Sequence, residues 1–293
     1  MTRKTLLTNG DSWTFGSEIM APEFMLPEPE QTSGRRYIPG VECFMKCNDY
    51  YRIPRIWSSY LGEILDANVV NLSMPARSND TIYDTTIHWI MKNYIHPGKD
   101  TSDLTVVIGW SSPERKNIII SESVEGIERA SWFTLWPMMN DTQYYSSPVL
   151  KEFFKFYVAH QWAEQEYIKR FIEQNFQLQN FFKIHKIKYY FFNSFYAHHN
   201  KGPEEWEDIS LTEIVNNWDN LSIGWGDPMY DWDTIKDSLL LQWWSIENFI
   251  LQDQGSFRTH IWKNIPEEIR MCNWHPSPAS HKSWAQYLSK FMT

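Results

Sequence analysis

The chain has 293 residues, enough for one large α/β domain or for a domain carrying a big insertion. It is 42% hydrophobic and 22% charged, the balance of a globular chain able to bury a sizeable core. A net charge of −9 argues against nucleic acid as a partner, and no stretch of about 18 apolar residues exists to span a membrane.

Three cysteines, Cys43, Cys47 and Cys272, make neither a disulfide framework nor a zinc motif. Together with the absence of a signal peptide at the N-terminus, they point to a cytoplasmic product. The adjacent His198 and His199 project differently and have no carboxylate at ligand spacing, so neither a metal nor another cofactor is expected. The acidic run of Glu204, Glu205, Glu207 and Asp208 reads as a solvated face. With 16 Trp, 15 Tyr and 17 Phe the chain is rich in rings, which suit a core and subunit interfaces or, alternatively, a sugar- or lipid-facing cleft.

Residues 4–9 read as a short buried strand ending at Gly10. Residues 16–54, rich in Pro, Gly and charge, read as a long surface excursion. Helical spacing of Ile56, Tyr60, Leu61 and Ile64 predicts a helix over 54–65, followed by a strand over Ala67–Leu72. Ser78 or Asn79 can cap a helix running to about Tyr94, and a third strand follows at Leu104–Gly109. This order predicts an α/β fold, a three-layer α/β/α sandwich on a central parallel sheet.

A hairpin with arms Asn117–Ser121 and Ser131–Leu135 comes next, then a strongly helical stretch from Ser147 to Phe182. Residues 113–187 are therefore expected as a helical, aromatic-rich insertion, and 200–255 as a further excursion containing a helix over 232–251. Tyr189–Phe195 returns to the sheet, and a helix over Ala279–Phe291 closes the chain.

Two segments carry chemistry. A strand ending in Gly10-Asp11-Ser12 presents a serine hydroxyl at the C-terminal edge of the sheet, where open α/β sheets place their sites. Near the other end, His275-Pro276 immediately precedes the last helix. Together these segments resemble the first and last conserved blocks of the SGNH (GDSL-type) hydrolases; with Ser78-Asn79-Asp80 and Ile108-Gly109-Trp110-Ser111-Ser112, the tail from His275-Pro276-Ser277-Pro278 to His281 resembles a branch found in tailed bacteriophages.

The resemblance implies Ser12 as nucleophile, with its own N–H in the oxyanion hole, and His275 as general base. It places Ala76 where the family has an oxyanion glycine and Ser111 where it has an oxyanion asparagine, with Asn79 as a substitute donor. The family's acid stands three residues before the histidine, where this chain has Cys272; Asn273 is nearer but uncharged. Three readings stay open: a Ser–His dyad, a distant acid among Asp227, Asp231, Asp233 and Asp237, or lost catalysis. The implied function is hydrolysis of an ester or acetylated carbohydrate. The alternative is a structural or binding protein on the same fold, such as a virion component, assembling through the aromatic-rich insertion.

Overall fold

The computed structural model describes residues 3–27, 38, 45–124, 127–135, 148–161, 164–195, 256–272 and 274–292. Four strands form one parallel sheet: β1 (Lys4–Asn9), β2 (Ala67–Asn71), β3 (Leu104–Trp110) and β4 (Lys188–Asn193), in the order β2-β1-β3-β4. The chain leaves β1 for β2 on one side and reaches β3 on the other. The sheet therefore has a switch point between β1 and β3, where such folds bind ligands.

Side-chain alternation explains the layers. Leu7, Val106, Ile108 and Phe191 face α2 (Asn79–Ile90) and α3 (Glu164–Ile184), meeting Ile82, Ile90, Phe171 and Leu178. Leu6, Val107 and Phe192 face the opposite layer. There α4 (Trp57–Ile64), α5 (Phe257–Asn264) and α6 (Pro278–Ser289) supply Trp57, Leu61, Phe257, Ile261 and Trp284. Period-2 strands apolar on both faces require helices on both sides. The expected three-layer α/β fold is what forms.

Boundaries match the sequence where caps are explicit. The Ser78 hydroxyl accepts from Thr81 N–H, so Ser78 caps α2, and Asn79 is the first helical residue. The expected hairpin forms with longer arms, Lys116–Val124 against Ile127–Leu135, in antiparallel register. The strongly helical stretch expected from Ser147 to Phe182 holds two helices, Pro148–His160 and α3. The first packs Phe154 and Tyr157 against Leu135 of the hairpin, whereas α3 packs Phe171 and Phe182 on the sheet. One straight rod cannot serve both surfaces. Helix α3, inside the stretch expected as an insertion, is thus part of the sheet's covering layer.

A second correction concerns the surface excursion expected over 16–54. Ser17, Ile19, Met20 and Ala21 are buried. Asn48 makes this burial tolerable: its Oδ1 accepts from Ala21 N–H at 3.0 Å, and its Nδ2 donates to Ile19 O at 2.8 Å. The stretch 200–255, with its expected helix over 232–251, lies outside the described residues, as do Cys43, His198 and His199. Among the described residues, no helix is long and apolar enough to cross a membrane.

His281 is wholly buried in α6, and its Nδ1 accepts from Trp57 N–H at 3.2 Å. Burial, with the nearby His275 adding to it, holds its pKa down at about 3. The unfolded chain binds this proton near pH 6.5 and the folded chain does not. Stability from this group is full above pH 6.5 and falls as pH drops toward 3, by about 1.4 kcal/mol per unit. His281→Asn keeps an acceptor for Trp57 N–H and removes the titration. Its urea-unfolding free energy should lose less between pH 7 and pH 5 than the wild type's; equal losses would rule the histidine out as the cause.

Ala76 occupies the left-handed region at φ 60°. An L-residue there costs about 1–2 kcal/mol, more than the entropic cost of glycine. Ala76→Gly should raise the urea midpoint, corresponding to roughly 0.5–1 kcal/mol, with an unchanged slope. A lowered midpoint would show that the alanine side chain contributes packing.

Candidate active site

The site begins where β1 ends. Gly10 passes so close to β3 that a Cβ there would lie 2.9 Å from the Gly109 carbonyl and 2.2 Å from Thr14 Oγ1. A one-turn helix, α1 (Ser12–Phe15), then starts at the sheet edge. Asp11 caps it, with Oδ1 accepting from Trp13 N–H at 3.0 Å. Ser12 is its first residue and is 8% exposed. Gly16 ends it at φ 79°, the left-handed conformation that favours glycine after a helix. Arg52 donates to Phe15 O at 2.6 Å and stacks over the Phe15 ring, fixing the helix from below.

Asp11 is fully buried. Its Oδ2 accepts from Ser111 Oγ at 2.8 Å and lies 3.5 Å from Arg115 Nη1. Burial raises this carboxyl above its ordinary range; Arg115, the Ser111 hydroxyl, Trp13 N–H and the charge of His275 each pull it back. Asn79 clamps the neighbouring backbone: its Oδ1 accepts from Ser111 N–H at 2.8 Å and its Nδ2 donates to Ser111 O at 3.1 Å. Arg115 also donates to Arg77 O at 3.4 Å, which ties in the loop carrying Ala76.

These contacts decide what each polar group can do. The Ser111 proton is directed at Asp11, and the Asn79 amide spends its oxygen and one of its two N–H bonds on Ser111. The backbone N–H groups of Ser12 and Ala76 have no partner among the described residues. Those two amides are main-chain donors open to a ligand at this edge.

His275 arrives on a tight antiparallel hairpin, Met271–Cys272 against His275–Pro276. Cys272 pairs directly across from His275, which explains why the residue three positions earlier does not sit behind the ring. Ser277 caps α6 by accepting from Ser280 N–H at 3.2 Å, and Ser277 N–H donates to Arg270 O at 3.1 Å, so the hairpin is fixed at its root. The His275–Pro276 strand touches α1, the helix that bears Ser12.

Behind the His275 ring stands Glu18. Its Oε2 lies 3.0 Å from His275 Nδ1 and accepts from Trp274 N–H at 2.9 Å. The two side chains are 21% and 16% exposed. Glu18 has φ 66°, so a strained turn after Gly16 aims its carboxylate back across the site. The backbone on either side is held by Asn48 and Arg52. The sequence does not single out Glu18: the family pattern places an acid just before the histidine, whereas this carboxylate stands six positions after the serine. Its one signal is a carboxylate two residues after the glycine that ends the first helix. Asn273 and the four aspartates at 227, 231, 233 and 237 lie outside the described residues. Among the described residues, no group of three His, Cys, Asp or Glu side chains is placed to hold a metal ion.

Several solved structures resemble the chain at low identity. One is a lipolytic protein of the G-D-S-L family from Desulfitobacterium hafniense DCB-2, 13% identical, with 98% of each chain covered and a TM-score of 0.38. A second is a catalytic mutant of Axe2, an acetylxylan esterase from Geobacillus stearothermophilus, 15% identical. It covers 98% of this chain and 93% of its own, with a TM-score of 0.39. A third is a carbohydrate esterase, 11% identical, covering 100% of this chain and 69% of its own at a TM-score of 0.42. No curated protein matches the sequence significantly. One family model does match, over residues 45–212, which includes Ala76, Asn79, Ser111 and Arg115 but not Ser12, Glu18 or His275. Because that span is more than half of the chain, the protein belongs to the family of unknown function DUF6071.

Proposed function

We propose that the protein is a serine acyl-ester hydrolase of the SGNH type, in which Ser12 is the nucleophile, His275 the base and Glu18 the acid. One observation carries this reading: the Glu18 carboxylate lies 3.0 Å from His275 Nδ1, on a strand that touches the helix bearing Ser12. A carboxylate that accepts from Nδ1–H fixes the tautomer, and one this close stabilises the imidazolium formed during reaction.

In the first half of the reaction, Nε2 of His275 takes the Ser12 hydroxyl proton as Oγ attacks the ester carbonyl. The N–H groups of Ser12 and Ala76 donate to the oxyanion. The imidazolium then gives its proton to the leaving alcohol, producing an acyl-serine. Water, deprotonated by the same histidine, releases the acid and restores Ser12.

The substrate we favour is an acetylated carbohydrate. The Trp274 ring is 75% exposed next to His275, and its backbone is anchored on Glu18. A flat, water-facing ring beside the base suits the face of a sugar better than a free acyl chain.

A binding or virion protein without chemistry is the second reading, favoured by the Ser111 hydroxyl, which is turned to Asp11 instead of the oxyanion position. A fluorophosphonate probe separates the two. Stoichiometric labelling of the wild type, abolished by Ser12→Ala and by His275→Ala, is the expected result. Turnover of 4-nitrophenyl acetate should fall about 10²–10⁴-fold in Glu18→Gln and stay near wild type in Asn273→Ala. A folded wild type that takes no label supports the binding reading.

A further inference from the structure

Away from the candidate active site, helices α5 and α6 pack side by side and form an open surface cavity of about 470 Å³, with Lys263, Asn264, Gln286 and Lys290 exposed at its mouth and His260 buried at its base. Its lining is polar. His260 is 8% exposed; its Nε2 lies 3.0 Å from Ser283 Oγ, and its Nδ1 lies 3.3 Å from the Asn264 amide nitrogen. With Asn264 donating to Nδ1, Nε2 carries the proton and donates to Ser283. The Tyr287 ring stands 4.8 Å from the His260 ring, and Gln286 completes that wall.

Lys263 and Lys290 flank this lining, and no carboxylate joins them. Neither helix contains a single Asp or Glu, although the chain as a whole carries a net charge of −9. Among the described residues, neither lysine lies within ion-pair distance of an acid. Burial and the charge of Lys290 hold His260 down to about 4, so near pH 7 the ring is neutral and the positive charge of the cavity comes from the lysines. Each lysine sits at the C-terminal end of its helix, where the helix dipole favours a cation. That effect explains one lysine per helix. It does not explain two lysines, neither in an ion pair among the described residues and one of them over the Tyr287 ring, around a cavity lined with amide and hydroxyl groups.

We infer that this cavity is a binding site for a small hydroxylated anion, such as a sugar acid or sugar phosphate. The carboxylate or phosphate group sits between the Lys263 and Lys290 ammonium groups. The hydroxylated body lies against Asn264, Gln286 and Tyr287. The volume falls within the range of small-molecule sites, roughly 300–1,000 Å³. Helix α6 begins beside His275 and has 12 residues, which carries its Lys290 end about 18 Å along the axis from the catalytic hairpin. The site is therefore separate from Ser12, and ligand bound there leaves the ester site open.

Titration calorimetry on the full chain tests this with glucuronate, glucose 6-phosphate, inorganic phosphate and glucose. Glucuronate and glucose 6-phosphate should bind, and glucose should not. The double variant Lys263→Gln/Lys290→Gln should lose at least 10-fold in affinity while keeping the wild-type melting curve. Ser12→Ala should bind as the wild type does, which keeps this result independent of the ester chemistry. Inorganic phosphate binding as tightly as glucose 6-phosphate would overturn the role given to the hydroxylated body. Absence of binding by either sugar anion at millimolar concentration, or equal binding by the double variant, would overturn the site.

Discussion

Removing a carboxylate from water costs several kcal/mol unless partners replace the lost hydration. Asp11 is wholly buried at the switch point of the sheet, and its partners come from three places. Trp13 N–H belongs to its own helix, the Ser111 hydroxyl to the end of β3, and the Arg115 guanidinium to the segment after β3. Arg115 reaches on to the carbonyl of Arg77 in the loop after β2. Satisfying one carboxylate thus fixes the ends of three strands relative to one another, and Ser12 is the next residue in the chain. Its position at the sheet edge is a consequence of how Asp11 is satisfied.

The same network limits the chemistry. A hydroxyl that donates to Asp11 has no second proton to give, and the Asn79 side chain is held in place by its two bonds to the Ser111 backbone. The main-chain donors at this edge have directions set by the backbone and do not depend on a side-chain rotor. Ala76 holds its N–H in a left-handed turn at the cost of local strain. Glu18 does likewise, at φ 66°. Strain at both positions is tolerable because Asn48, Arg52 and Arg115 hold the surrounding backbone with buried hydrogen bonds.

Much of the fold was readable from the residues alone. Leu6-Leu7 and Val106-Val107-Ile108 are apolar on both faces, a pattern that only a covered parallel sheet accommodates, and Ser78 announces its helix by its capping chemistry. The division of the helix after His160 was not readable, because its apolar spacing continues into α3; only the different surfaces beneath the two halves separate them. Burial of Ser17–Ala21 was hidden for a related reason. A Pro- and Gly-rich stretch looks solvated until a distant side chain, here Asn48, takes over its backbone groups. Ser12 and His275 could be singled out in the sequence because each sits at the end of a regular element. Glu18 could not, since nothing local marks a carboxylate whose histidine neighbour stands 257 positions further along the chain. Its role depends on a turn geometry that only the folded chain reveals.

The proposed mechanism rests on Glu18 as the acid that orients His275. Proton NMR of the imidazole N–H region tests it directly. A proton shared between Nδ1 and a carboxylate resonates well downfield of the amides. That resonance should be present in the wild type and in Ser12→Ala, and absent from both His275→Ala and Glu18→Gln. Its persistence in a folded Glu18→Gln variant would mean that another group orients the histidine, and the account of the site given above would be wrong.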